Sequence, residues 1–318
     1  MPNYLMKRRI IRQGHNTFTV SLPRKWCDNH KLKEGEEIDI TEKGKNLLLS
    51  KESYRGSGEI NIDITGLHRN TIIMLLESYY TYGYDIINIT SKNTKTKWIL
   101  YDEEWTVNKV INYVVNLMIG AELVNSGNGK YRIEVLTQDS REKFETTLRR
   151  IFLLIMGLHD SYLAGIKKKQ KNLIEDIDLQ HFNIMKFVNY ALRLLNKFGH
   201  EEADKTTYYF SLIYFLAKAE RIPKNVTGYS LKHLKLSKIG LNLIEEIFNG
   251  FKKYYDVFYK YDLNKIAELV GDRDRFRNRF FMKEYKNLNK DDVFIISYFA
   301  QIYEVIMDLI ELKMAIEK

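Results

Sequence analysis

Cations crowd the front of this 318-residue chain. Lys7, Arg8, Arg9, Arg12, Arg24 and Lys25 head a group of twelve Lys and Arg within residues 1–55, set against seven acids. The local charge of +5 is more than half of the whole chain's +9. Charge concentrated in this way favours a polyanionic partner without naming it. Two other cationic runs read differently. Lys167-Lys168-Lys169-Gln170-Lys171 falls at an expected helix C-terminus, where cations favour the helix dipole, so a solvated helix end is preferred over an anion site. Arg273, Arg275, Arg277 and Arg279 follow or interleave with Asp272 and Asp274, which suits a charge-laced exposed helix face more than a phosphate grip.

Catalytic chemistry has no comparable concentration. The seven histidines, His15, His30, His68, His159, His181, His200 and His233, show no HExxH or other metal spacing. GxSxG, Walker A and GxGxxG are absent, and Gly127 and Gly129 lack the strand-then-helix setting of a phosphate loop. The single cysteine, Cys27, excludes an intrachain disulfide framework and a CxxC metal site. We therefore expect no enzyme. No apolar run approaching the ~18 residues of a membrane span is expected. No apolar segment follows the N-terminal charges as a secretory signal requires, so a cytoplasmic protein is expected.

The elements that must position the front cations are short. Arg8 to Arg12 reads as a strand broken at Gly14, and Thr17 to Leu22 as a β-branched second strand. Pro23 suits the first turn of a helix over Arg24 to His30. A turn at Lys33 to Glu36 follows, with Gly35 free to take a positive φ. Ile38-Asp39-Ile40 and Leu47-Leu48-Leu49 supply two more strands across Lys43-Gly44-Lys45. Some 50 residues in four strands cannot close a core, since even a ~60-residue domain is marginal. The unit needs a partner, most simply a second copy.

A linker, Ser53 to Gly58, separates this unit from a small α/β module. There we expect strands at 59–64 and 85–90, helices over 67–82 and Glu103 to Ile119, and a hairpin about Ser126-Gly127-Asn128-Gly129. From Arg141 the apolar period becomes helical, with Phe144, Leu148, Ile151, Phe152, Ile155 and Leu158 on one stripe. Six long helices are expected, at 141–170, 175–198, 205–229, 231–261, 263–285 and 290–318, as an antiparallel bundle of two three-helix units. The expected fold class is mostly α with a small β front. Its expected domains are 1–55, 56–139 and 140–318.

The front unit resembles the AbrB/SpoVT (MazE-like) swapped-hairpin domain, a DNA-binding module formed by two interleaved chains. The resemblance is carried by the basic strand before Gly14, the Val20-Ser21-Leu22-Pro23-Arg24-Lys25 step and Leu32-Lys33-Glu34-Gly35-Glu36. It implies double-stranded DNA as partner and a homodimer through the N-terminal domain. By position, Arg8, Arg9, Arg12, Arg24 and Lys25 would meet duplex phosphates and groove edges. His15 stands where the family often has a basic residue. Strand alternation would place Arg8 and Arg12 on one face and Arg9 on the other, so not all three reach one DNA surface.

The helical half resembles the PhoU family, in the arrangement where archaeal homologues carry an AbrB-like domain in front. The residues carrying this are Val188-Asn189-Tyr190-Ala191-Leu192-Arg193-Leu194-Leu195 and Leu216-Ala217-Lys218-Ala219-Glu220-Arg221-Ile222. Gly58 to Leu67 and Leu117 to Glu122 look like the intervening segment. The resemblance implies Glu/Asp-x-x-x-Asp motifs that bind divalent metal from one helix face. Glu220 is followed at that spacing by Lys224, with Pro223 expected to disturb the helix. Glu304 and Asp308 retain the motif and are the candidate metal ligands, against a competing reading as a solvated acidic face. Together the resemblances imply a transcriptional regulator of phosphate uptake or homeostasis, its bundle sensing a signal or docking a partner. The rivals are a signalling adaptor of a phosphate transporter or histidine kinase, and an antitoxin-like protein.

Overall fold

The computed structural model describes residues 6–43, 46–50, 58–232 and 236–317. Contacts divide the chain into two units, Met1–Tyr54 and Arg55–Lys318. Gly44 and Lys45, residues 53–57 of the expected Ser53–Gly58 linker, and His233 lie outside the described residues.

In the front unit, β1 (Ile11–Gln13) and β2 (Thr17–Thr19) form an antiparallel hairpin around Gly14, whose φ of +72° suits a residue without Cβ. α1 (Arg24–Asn29) starts directly after Pro23, which ends β-type backbone with φ −63°. It stops where Lys31 turns to φ +52° and the Leu32 N–H donates to the Cys27 carbonyl at 2.9 Å. β3 (Asp39–Lys43) and β4 (Asn46–Ser50) make a second antiparallel pair. Both strands of the first hairpin are shorter than expected. Pairing covers only Ile11↔Thr19, Arg12↔Phe18 and Gln13↔Thr17, so Arg8, Arg9 and Ile10 precede the strand.

The larger unit is mostly helical. Its β part begins with β5 (Gly58–Asp63), α2 (Arg69–Tyr82) and β6 (Tyr84–Thr90), a parallel crossover in which Gly83 ends the helix at φ +121°. Next come β7 (Lys95–Trp98), β8 (Glu103–Thr106) and α3 (Val107–Val115), then β9 (Ala121–Gly127) and β10 (Lys130–Val135). The four-stranded sheet runs β5-β6-β10-β9, and β7 pairs with β8 apart from it. The helix expected over Glu103 to Ile119 is thus corrected. Its first four residues are a strand opposite Lys95–Trp98, and Thr106 caps the true helix by accepting from the Lys109 N–H at 3.2 Å.

The long helices are α4 (Lys143–Lys168), the short α5 (Lys171–Glu175), α6 (Ile177–Phe198), α7 (Thr206–Lys232), α8 (Lys238–Tyr259), α9 (Leu263–Asn278) and α10 (Lys290–Ile316). A π-helical turn, Arg279–Glu284, follows α9. α4 packs on α6, α6 on α7, α7 on α10 and α10 on α8. Every member of the Phe144-to-Leu158 stripe is buried, as its 3–4 spacing requires. α7 runs unbroken through Pro223, against expectation. Ile222, Pro223 and Val226 are buried, and packing along the helix offsets the missing hydrogen bond. A second correction concerns α10, which holds an 18-residue window of mean hydropathy 1.7. Glu304 and Asp308 punctuate this run and hide it from inspection. Half of the window is buried against the unit's own helices, as in a core helix.

One buried arginine fastens the sheet to the bundle. Arg193 on α6 is fully buried; its Nε donates to Asp139 Oδ2 at 2.9 Å, and its Nη1 to the Tyr80 and Tyr84 carbonyls at 2.9 and 2.8 Å. Its Nη2 pairs with Asp85, and Lys197 reaches the same two carboxylates at 2.8 and 3.3 Å. Each carboxylate here meets two cations, the arrangement a buried charge requires.

Candidate nucleic-acid interface

The β1–β2 hairpin and the start of α1 carry the front arginines. Arg12 faces Phe18 directly across the pair, so both side chains leave the same face of the hairpin. The Arg12 Nη2 also donates to the His15 carbonyl at 2.7 Å, folding the guanidinium over the turn. This uses one of its five N–H donors. Arg24 Nε donates to Asp28 Oδ1 at 3.0 Å and Oδ2 at 3.3 Å, one helical turn away. The Arg24 side chain remains 91% exposed, so the pair is a surface one and contributes little. Its Nη groups are free of that contact. Lys25 and His15 are exposed, as are Arg8 and Arg9 in the segment before β1.

The apolar residues of the same unit are stranded. No described residue of residues 6–40 is buried, and Ile10, Ile11, Phe18, Val20, Ile40 and Leu47 are exposed, Ile10 and Phe18 by 72% and 70%. At about 1.5–3 kcal/mol per large apolar side chain, covering these six would supply on the order of 10 kcal/mol to an association. Monomeric proteins rarely leave such a set uncovered.

Residues 11–57 match the family model of MazE, described as "Antidote-toxin recognition MazE, bacterial antitoxin". The front of the chain is a MazE/AbrB-like domain. No curated protein and no solved structure matches the chain. Domains of this kind usually form dimers and bind DNA or toxins, which agrees with the stranded apolar set and the exposed arginines.

The other sites read from sequence lie in the larger unit. Glu304 and Asp308 sit one turn apart on α10, and Glu304 is held by Arg277 Nη1 at 3.5 Å. Among the described residues, no group of three or more His, Cys, Asp or Glu is placed to hold a metal ion. The arginine run is paired throughout: Arg273 with Asp274 at 2.9 Å, Arg275 with Asp272, Arg277 with Glu304, and Arg279 with Glu246 at 2.7 Å. Lys167 pairs with Glu245 at 2.6 Å. Glu220, the first half of the interrupted metal motif, is fully buried and bonded to His181 Nδ1. Beside it, burial raises the Glu77 carboxyl above its ordinary range, an effect opposed by the Asn189 amide at 3.1 Å.

Two arrangements escaped sequence reading. One is the Arg193 network. The other is Arg69 at the start of α2, whose guanidinium lies 4.1 Å from the Trp98 ring, 4.2 Å from Trp105 and 4.9 Å from Tyr113. The signal for both was a lone arginine among apolar or aromatic neighbours at helical spacing, where an unpaired cation cannot stay.

Proposed function

We propose that this protein is a dimeric, non-enzymatic DNA-binding regulator. Two copies of the front domain cover their apolar residues against each other. That pairing turns Arg8, Arg12, Arg24 and Lys25 from both chains toward one duplex, with His15 beside them, while strand alternation keeps Arg9 from sharing that surface. The observation that carries this is a MazE-like unit whose apolar side chains and arginines are exposed together. Arginine forks reach guanine edges and phosphates bidentately, whereas Lys25 acts as a point charge. The helical half is read as a PhoU-like six-helix bundle that senses a signal or docks a partner in the cytoplasm, with Glu304 and Asp308 as its divalent-metal candidates. Phosphate homeostasis as the regulated process is supported by the helical resemblance alone.

The test is a salt titration of binding to duplex DNA, at fixed temperature and pH. Several phosphate contacts give a steep negative slope of log affinity against log salt. Neutralising Arg8, Arg12 and Arg24 in both chains should reduce that slope by up to about 5. A flat response in the unaltered protein would sink the proposal.

The family's description favours a second reading, in which the chain is an antitoxin whose helical part holds a toxin. Co-purification of a small stable partner that survives neutralisation of the three arginines would support it.

A further inference from the structure

Two of the front arginines are tethered to the domain at one corner. The Arg24 Nε donates to both oxygens of Asp28, at 3.0 and 3.3 Å. Its Nη groups, the outer end of the fork, stay outside that contact, and the side chain is 91% exposed. In Arg12 one Nη2 N–H is spent on the His15 carbonyl at 2.7 Å. Each guanidinium thus keeps four of its five N–H groups while its direction is set from behind. Arg8, by contrast, makes no ion pair or side-chain hydrogen bond among the described residues.

Both tethers follow from local backbone geometry. Arg24 and Asp28 stand at i and i+4 on α1, so their side chains are neighbours. The Arg12 tether depends on the hairpin turn. Gln13↔Thr17 is the last pair, which leaves Gly14, His15 and Asn16 as the loop. A Cβ built on Gly14 would meet nothing within 4 Å, so the demand for glycine there is one of backbone and not of space.

What a tether does at DNA depends on the contact made. Phosphates recur along any duplex, and a freely swinging cation finds one without regard to sequence. A guanine offers O6 and N7 at one place, to a planar fork held at one angle. An arginine fixed at one corner has less freedom to lose on meeting that edge. Asp28 therefore acts in two opposed ways. Its charge weakens binding to every duplex, whereas its hold on Arg24 favours one sequence over the rest.

Resting on the reading of the front domain as a DNA binder, we propose a division of labour among its cations. Arg12 and Arg24 read base edges, and Arg8 and Lys25 hold phosphates. Asp28 is a positioning residue that sets sequence discrimination through Arg24. To test this, the full chain first selects its preferred duplex from a random-sequence pool. Affinities for that duplex and for a scrambled one of equal length then give a discrimination ratio for each variant.

Asp28→Ala should bind the scrambled duplex at least as tightly as the unaltered chain does, while its ratio falls about threefold or more. Asp28→Asn keeps an oxygen for the Arg24 Nε and should hold the ratio. Asp28 is exposed in the last turn of α1, where an acid opposes the helix dipole, so neither change threatens the helix. Arg24→Lys and Arg12→Lys preserve charge, so the salt slope should stay while the ratio drops about tenfold. Arg8→Lys should leave both unchanged. Equal shifts of the two affinities in Asp28→Ala, or an unmoved ratio in either of the other two arginine-to-lysine variants, overturn the proposal. An unaltered chain that binds duplexes without preference also overturns it and leaves DNA binding standing. One that binds no duplex removes the DNA reading itself, and this proposal with it.

Discussion

His159 shows how much one side chain can set. It lies fully buried on α4 with its ring stacked on Phe248 at 4.2 Å, and neither ring nitrogen has a hydrogen-bond partner among the described residues. Burial, with Lys252 adding to it, pushes the imidazole down to about 3. The folded state therefore holds it neutral, while the unfolded chain takes up a proton below about 6.5. Stability from this residue is complete above that pH and is lost as pH falls toward about 3. By pH 5 the loss should be about 2 kcal/mol. Urea unfolding at pH 7 and pH 5 should show a smaller difference for His159→Leu than for the unaltered chain; equal differences would refute the account. Arg193→Met is the second expectation at this scale. It leaves Asp139 nearly buried with Lys197 as its remaining cation, and should cost about 3–5 kcal/mol in the same assay. Neither residue was legible beforehand. Apolar periodicity marks which positions face a core, and a polar residue standing in such a position signals that it needs a partner without saying which one.

Elements were legible in proportion to their length. The α4 stripe from Phe144 to Leu158 repeats over about four turns, and the buried face follows from it directly. Gly14 and Pro23 mark the front hairpin and helix because Gly14 supplies a positive φ that residues with a Cβ resist, and Pro23 fixes φ and removes an N–H. β7 and β8 were hidden for a physical reason. Glu103 and Glu104 ahead of an apolar run also suit the first turn of a helix, where acids meet the helix dipole. Pairing with Lys95–Trp98, four residues too short to announce themselves, decides between the two. Packing also sorts the helical glycines. A Cβ on Gly250 would stand 2.7 Å from Tyr303 Cε1, whereas one on Gly157 would meet nothing within 4 Å. Gly157→Ala should thus stabilise by about 0.5–1 kcal/mol through helix propensity. Gly250→Ala should gain nothing or lose up to about 2 kcal/mol, as overpacking opposes the same gain. Thermal melts of the two variants side by side give the comparison, and a matched shift in both would contradict it.

At the scale of the molecule, the front domain and the larger unit differ in kind. The larger unit has its own core, from Ile64 to Ile316. The front domain, among its described residues, has none. Its need for a partner was legible from length and charge alone, because four short strands cannot enclose a core. Circular dichroism melts at several protein concentrations should show a front transition that rises with concentration, and a transition indifferent to concentration would rule out the paired domain.

The absence of buried side chains among residues 6–40 has a consequence for how a domain that needs a second copy would count molecules. A reader of DNA that takes shape only when two chains meet is present in proportion to the square of chain abundance until pairing saturates. Halving the number of copies in a cell would then quarter the active species, which makes the response to synthesis or turnover steeper than any single-chain binder can achieve.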